Sequence, residues 1–66
     1  MNKQDMTRVL SRHGDFLCVN EIAEIMRLDR GTIRQILFGV PFIKIGRKKM
    51  YAVADVAERI WERRTV

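Results

Sequence analysis

The sequence predicts a small, mainly α domain with one β-hairpin, and three observations carry that prediction. Apolar residues recur at helical spacing in four separate stretches. Two short β-rich runs flank a basic turn that begins with glycine. The chain has 66 residues, 47% of them apolar and 32% charged. That composition is globular, and the length suits a single domain, 1–66, with a thin core.

The first helix is expected over about residues 3–13. Met6, Val9 and Leu10 form one stripe, with His13 next in step. Asn2 is placed to cap its start, and Arg12-His13-Gly14 is a stop signal. His13 is expected to be partly buried or to act as a cap. Phe16-Leu17-Cys18 then reads as a short extended entry to a second helix over 19–28. That helix carries Ile22, Ala23, Ile25 and Met26 at helical spacing, with Glu21 and Glu24 outside. Its N-cap is Cys18 or Asn20, and asparagine is chemically the better cap. Cys18 has no base nearby and reads as a buried, small apolar residue.

Asp29 caps a third helix over 30–38, with Ile33, Ile36 and Leu37 inward. Arg30, Thr32, Arg34, Gln35 and Phe38 occupy its remaining surface. The link Arg27-Leu28-Asp29 joins two helices by about three residues, which is the helix-turn-helix pattern. Gly39-Val40-Pro41 ends the third helix, because glycine supplies a left-handed cap and proline cannot continue it.

The hairpin runs from Phe42-Ile43-Lys44-Ile45 through Gly46-Arg47-Lys48-Lys49 to Met50-Tyr51-Ala52-Val53. A four-residue loop over 46–49 sets Ile45 against Met50 and Ile43 against Ala52 on one apolar face. Lys44 and Tyr51 then share the outer face. A two-residue loop sets Ile45 against Lys48, which is less consistent with an apolar face, so the longer loop is preferred. A fourth helix follows, with Asp55 and Glu58 read as a capping box. Val53, Val56, Ala57, Ile60 and Trp61 lie on one face, Trp61 as a core filler. Arg63 and Arg64 suit the negative end of that helix.

Charge is concentrated in the middle third. Between residues 27 and 49 stand Arg27, Arg30, Arg34, Lys44, Arg47, Lys48 and Lys49, against Asp29 alone, for a local charge of +6. The rest of the chain carries six bases and seven acids, for −1. A basic block inside a folded segment is the electrostatic footprint of a polyanion. The single cysteine and single histidine exclude a disulfide framework and a Cys- or His-based metal site, and no cofactor is implied. No nucleophile–base set, carboxylate pair or phosphate-cradling loop can be assembled, so no catalytic residue is assigned. No apolar run approaches the roughly 20 residues of a membrane helix, and residues 1–5 carry no signal-peptide core. The expected setting is a reducing cytoplasm.

Helix, tight turn, helix, basic two-stranded wing, helix is the order of a winged helix-turn-helix. The stretches Leu17-Cys18-Val19-Asn20-Glu21-Ile22-Ala23, Asp29-Arg30-Gly31-Thr32-Ile33-Arg34 and Pro41-Phe42-Ile43-Lys44-Ile45-Gly46-Arg47-Lys48-Lys49 resemble the excisionase-type and MerR-like small DNA-binding domains. The resemblance covers about residues 17–62, and the helix at 3–13 is an addition to the family core. Three positions depart from the family pattern: Cys18 stands for a capping threonine, Arg27 for a turn glycine and Asp29 for a capping serine.

The resemblance implies double-stranded DNA as partner. A recognition helix would read base edges in the major groove with Arg30, Thr32, Arg34 and Gln35. Arginine can pair with guanine, glutamine with adenine, and threonine can meet a phosphate or a thymine methyl. The wing would hold phosphate or the minor groove with Arg47, Lys48 and Lys49, aided by Lys44 and Tyr51. The resemblance further implies an excisionase that bends DNA near attachment sites and steers a tyrosine or serine integrase toward excision. A small transcriptional regulator is the alternative, and an adaptor that has lost DNA binding is a third reading, disfavoured by the basic block. No dimerisation element is evident, so the expected species is a monomer that binds adjacent DNA sites cooperatively.

Overall fold

A computed structural model describes residues 2–63 of the chain. In chain order the elements are α1 (Lys3–Ser11), β1 (Phe16–Leu17), α2 (Val19–Met26), α3 (Arg30–Ile36), β2 (Ile43–Ile45), β3 (Lys48–Ala52) and α4 (Val53–Glu62). The domain is mostly helical. Its three strands form one antiparallel sheet in the order β1-β3-β2. Arg64 lies outside the described residues.

Local chemistry sets most boundaries. The Asn2 side chain accepts the Asp5 N–H at 2.8 Å and caps α1 as expected. The helix stops at Ser11, and His13 is exposed in the following turn rather than partly buried, since the stripe it would continue has already ended. Cys18, not Asn20, takes the N-cap position of α2. Glu21 reaches back as the return half of a capping box: its Oε1 accepts the Cys18 N–H at 3.2 Å. Cys18 is half-buried rather than fully enclosed.

At the other end of α2, Leu28 N–H donates to Ala23 O at 3.0 Å and Arg27 N–H to Glu24 O at 3.3 Å. This is the double bond pattern that closes a helix through a left-handed residue, a place usually given to glycine. Here Arg27 occupies it, with φ 57°. A left-handed L-residue costs about 1–2 kcal/mol, and glycine's extra freedom in the unfolded chain offsets about 0.4–1 kcal/mol of that. Arg27→Gly is therefore expected to stabilise the domain by about 0.5–1 kcal/mol. A raised urea midpoint at unchanged m-value will show it, whereas a lowered midpoint would mean that the arginine side chain contributes more than its backbone costs.

The hairpin differs from expectation in register. Its loop is Gly46-Arg47, and the pairs are Ile45↔Lys48, Lys44↔Lys49 and Ile43↔Met50. Gly46 has φ 61° and Arg47 has no positive φ, which is the first-position glycine of the tight turn whose twist matches paired strands. The four-residue loop expected from the sequence sets isoleucine against methionine on one apolar face. That face is not the buried one: Ile43 and Ile45 are 51% and 62% exposed. On the other face Leu17 lies opposite Tyr51 and both are buried, while Lys44 and Lys49 farther along that face stay exposed. Tyr51 is thus a core residue and not part of an outer face. The β1 strand, read from sequence only as an extended entry, is what anchors the hairpin to the helices.

The α4 helix follows β3 directly and starts at Val53, two residues before the expected Asp55 cap. Ala52 precedes it with no side-chain cap, and the Val53 N–H is satisfied by Asp15 O at 2.9 Å. Asp55 sits in the first turn, where its charge suits the dipole. Glu58 forms an ion pair with Lys3 of α1 rather than a capping box. The core joins Met6 and Leu10 of α1, Leu17, Ile22 and Ala23, Ile33 and Leu37, Val40, Tyr51, and Val53, Val56 and Ala57 of α4. Trp61 packs half-buried at its margin.

Candidate nucleic-acid interface

Asp29 fixes the start of α3. Its Oδ2 accepts the Thr32 N–H at 2.9 Å and its Oδ1 accepts the Thr32 hydroxyl at 2.6 Å. Gly31 makes room for this cap, since a Cβ there would stand 3.1 Å from Asp29 Oδ2. The two Thr32 bonds hold the Asp29 carboxyl below its ordinary pKa of 3.8. A depressed native pKa gives stability that is complete above the unfolded value and is lost as pH falls through the native one. Asp29 is therefore expected to contribute to acid unfolding below about pH 3.8. Asp29→Asn should reduce the stability difference between pH 5 and pH 3 in thermal melts, and an unchanged difference would show that this bond pair adds nothing.

The consequence for the site is that Thr32 is half-buried with its hydroxyl already committed to Asp29. Arg30, Arg34 and Gln35 remain exposed on α3. Lys44, Arg47, Lys48 and Lys49 are exposed on the hairpin. Tyr51 is 8% exposed, with its ring 5.7 Å from that of Phe42. It lies too deep for a surface contact, because the inward sheet face claims it.

The fold brings part of this set together. Arg34 of α3 and Arg47, Lys48 and Lys49 of the hairpin tip line one open groove of about 330 Å³ with Cys18, Val19 and Asn20 from the start of α2. Four basic residues from two elements thus line one groove at a helix end that is itself electropositive. Arg30 lies apart from them, in the groove between α2 and α3 with Asn20, Glu24, Leu28 and Asp29. Gln35 and Lys44 line neither groove.

Electrostatics within the hairpin is unfavourable on its own. Lys44 and Lys49 are direct cross-strand partners, and like charges so placed destabilise a sheet. Lys49 Nζ lies 5.0 Å from the Phe42 ring centroid, a contact that steadies one of the two ammonium groups. The ion pairs among the described residues join Lys3 to Glu58, Arg8 to Asp5 and Arg59 to Glu62, and none involves a cation of the 27–49 block. The first turn of α2 carries one acid, Glu21. Its carboxyl is held below the ordinary range by its bonds to Cys18, with smaller help from the charges of Lys48 and His13.

Two features escaped the sequence. The start of α2 lines the cationic groove, although nothing in Val19 or Asn20 signals a site. The end of α3 is held from α4: Arg59 Nη1 donates to Ile36 O at 3.1 Å and to Phe38 O at 2.6 Å, and Arg63 Nη2 donates to Gln35 O at 3.5 Å. Sequence separations of 21 to 28 residues leave such contacts unreadable by periodicity.

Among the described residues no group of three acids, histidines or cysteines is placed to hold a metal, and no helix is long and apolar enough to cross a membrane. Comparison of the chain with protein-family models, with curated proteins and with solved structures finds no match.

Proposed function

We propose that the domain is a winged helix-turn-helix that binds double-stranded DNA, with α3 as its reading helix and the β2–β3 hairpin as its wing. One observation carries the reading: Arg34 and the Arg47-Lys48-Lys49 tip line one groove, and no acid among the described residues is ion-paired to any of them. A surface that holds Lys44 against Lys49 is best satisfied by an anion, and a duplex supplies a row of them. Arg30, Arg34 and Gln35 are the base-reading candidates, because bidentate arginine and glutamine recognise guanine and adenine. Thr32 serves α3 through its bond to Asp29.

The biological role we propose is that of an excisionase, in which the bound protein organises DNA near an attachment site and directs a tyrosine or serine integrase toward excision. A single winged unit reads few base pairs, so adjacent copies or a second DNA-bound protein complete the specificity. The protein itself performs no chemistry.

Fluorescence anisotropy on duplex DNA tests the binding step. With four to six phosphates neutralised, log K falls against log salt with a slope of about −3.6 to −5.4, at about −0.9 per contact. A slope near zero would favour a protein-interaction module. Excision reconstituted on attachment-site DNA tests the role. Excision that runs equally well without the protein, together with a stable dimer by ultracentrifugation, would favour a transcriptional regulator.

A further inference from the structure

We infer that Arg59 is a positioning residue that locks α3 to the body carrying the hairpin, so that the two cationic elements meet DNA in one fixed relation. The inference rests on the DNA-binding reading above for its functional consequence and on the geometry of α3 for its physical basis.

At seven residues, α3 is less than two turns long. A helix leaves its last carbonyls without internal partners. The Leu37 N–H takes Ile33 O at 2.9 Å and the Phe38 N–H takes Gln35 O at 3.3 Å. Ile36 O and Phe38 O are taken by Arg59, which reaches across from α4. The Arg59 side chain is 28% exposed, and Glu62 Oε2 lies 3.9 Å from its Nε. A planar, permanently charged guanidinium, with Nη1 donating to both carbonyls, thus sits against the negative end of the α3 dipole.

The apolar contacts of α3, through Ile33 and Leu37, are non-directional. They hold the helix to the core, with Ile36 packed beside them. The two Arg59 bonds are directional. They also join α3 to a particular partner, because α4 begins at Val53 immediately after β3 ends at Ala52. Helix α4 and the hairpin therefore share one continuous stretch of backbone. Arg59, with the longer Arg63 Nη2 to Gln35 O contact of 3.5 Å beside it, closes a mechanical link from the reading helix, through α4, to the basic tip.

Binding is compared on two probes: the duplex enriched from a randomised pool by the wild-type protein, and a scrambled duplex of the same composition. Arg59→Ala is expected to lose about tenfold on the enriched duplex, as when one bidentate base contact is misaligned, and less than about twofold on the scrambled one. Arg59→Lys, which keeps the charge but not the fork, falls between the two on the enriched duplex. Equal loss on both probes with a shallower salt slope would make Arg59 a phosphate contact and overturn the inference, as would no loss on either.

A second readout needs no DNA. Residual dipolar couplings of the free wild-type protein are expected to fit α3, the hairpin and α4 to one alignment tensor, and those of Arg59→Ala to require a separate or reduced tensor for residues 30–36. Unchanged couplings would overturn the inference. Should Arg59→Ala fail to fold, Arg59→Lys carries both readouts. A pool that enriches no sequence would count against the DNA-reading proposal while the couplings still decide the clamp.

Discussion

Replacing Arg47, Lys48 and Lys49 together with alanine is expected to weaken binding to every duplex by roughly 10²–10³-fold at 0.1 M salt, since each neutralised phosphate contributes about 0.9 of a decade there. The same change should flatten the salt slope by about 2.7, at about 0.9 per lost contact. All three residues are exposed on a hairpin whose backbone pairing does not depend on them, and Arg47 stands in the two-residue loop itself. The fold should survive, with circular dichroism close to wild type. Removing one member of the Lys44–Lys49 pair is even expected to relieve repulsion within the sheet. Arg34→Ala and Gln35→Ala form the contrast. Each should cost about 1–3 kcal/mol on the enriched duplex and little on a scrambled one. Anisotropy on both duplexes separates the cases. Equal losses on both for the α3 variants would mean that this face holds phosphate and does not read bases.

Leu10→Ala is expected to bring the domain close to unfolding. Leu10 is fully buried at the junction of α1 with the core. Deleting such a side chain costs about 2–5 kcal/mol, transfer and cavity together. A 66-residue domain has only about 3–10 kcal/mol in all, at the usual 0.05–0.15 kcal/mol per residue. Urea unfolding followed by Trp61 fluorescence and by far-ultraviolet circular dichroism measures the loss. A loss under about 1 kcal/mol would mean that α1 is a detachable addition to a self-sufficient core. The position of α1 argues otherwise. It packs along α4, with Met6 and Leu10 buried and Lys3 paired to Glu58. The α1 helix lines neither groove that holds the exposed α3 and hairpin cations. The folded fraction of Leu10→Ala should therefore bind DNA with wild-type affinity, which separates a role in stability from one in contact.

The four helices and the hairpin were legible because their causes are local. Asn2 and Asp29 are strong caps, Gly46 takes a left-handed conformation in the hairpin loop, and the stripes through Met6–Leu10, Ile22–Met26, Ile33–Leu37 and Val53–Trp61 have helical period, although α3 stops at Ile36 with Leu37 as its cap, short of Gly39. The basic block is likewise a property of the chain, and its sign and place needed no coordinates. What local pattern could not decide was which face of a strand looks inward. Alternation along 43–52 separates Ile43, Ile45 and Met50 from Lys44, Lys49 and Tyr51 correctly, yet the covered side is the one bearing Tyr51. That choice was made by β1, whose Leu17 pairs with Tyr51 and turns that face onto the helices. Freed from an apolar pairing requirement, the loop shortened to the glycine turn that suits strand twist. Tertiary structure also decided which cations meet. Arg34 and the hairpin tip share a groove across the start of α2, while Arg30 does not. The Arg59 bonds to Ile36 and Phe38 belong to the same class. Caps, turns and periodicity act within a few residues, so sequence determined the elements and their charge. The inward face, the converging cations and the clamp on α3 depend on contacts between distant segments, which only the folded chain brings within reach.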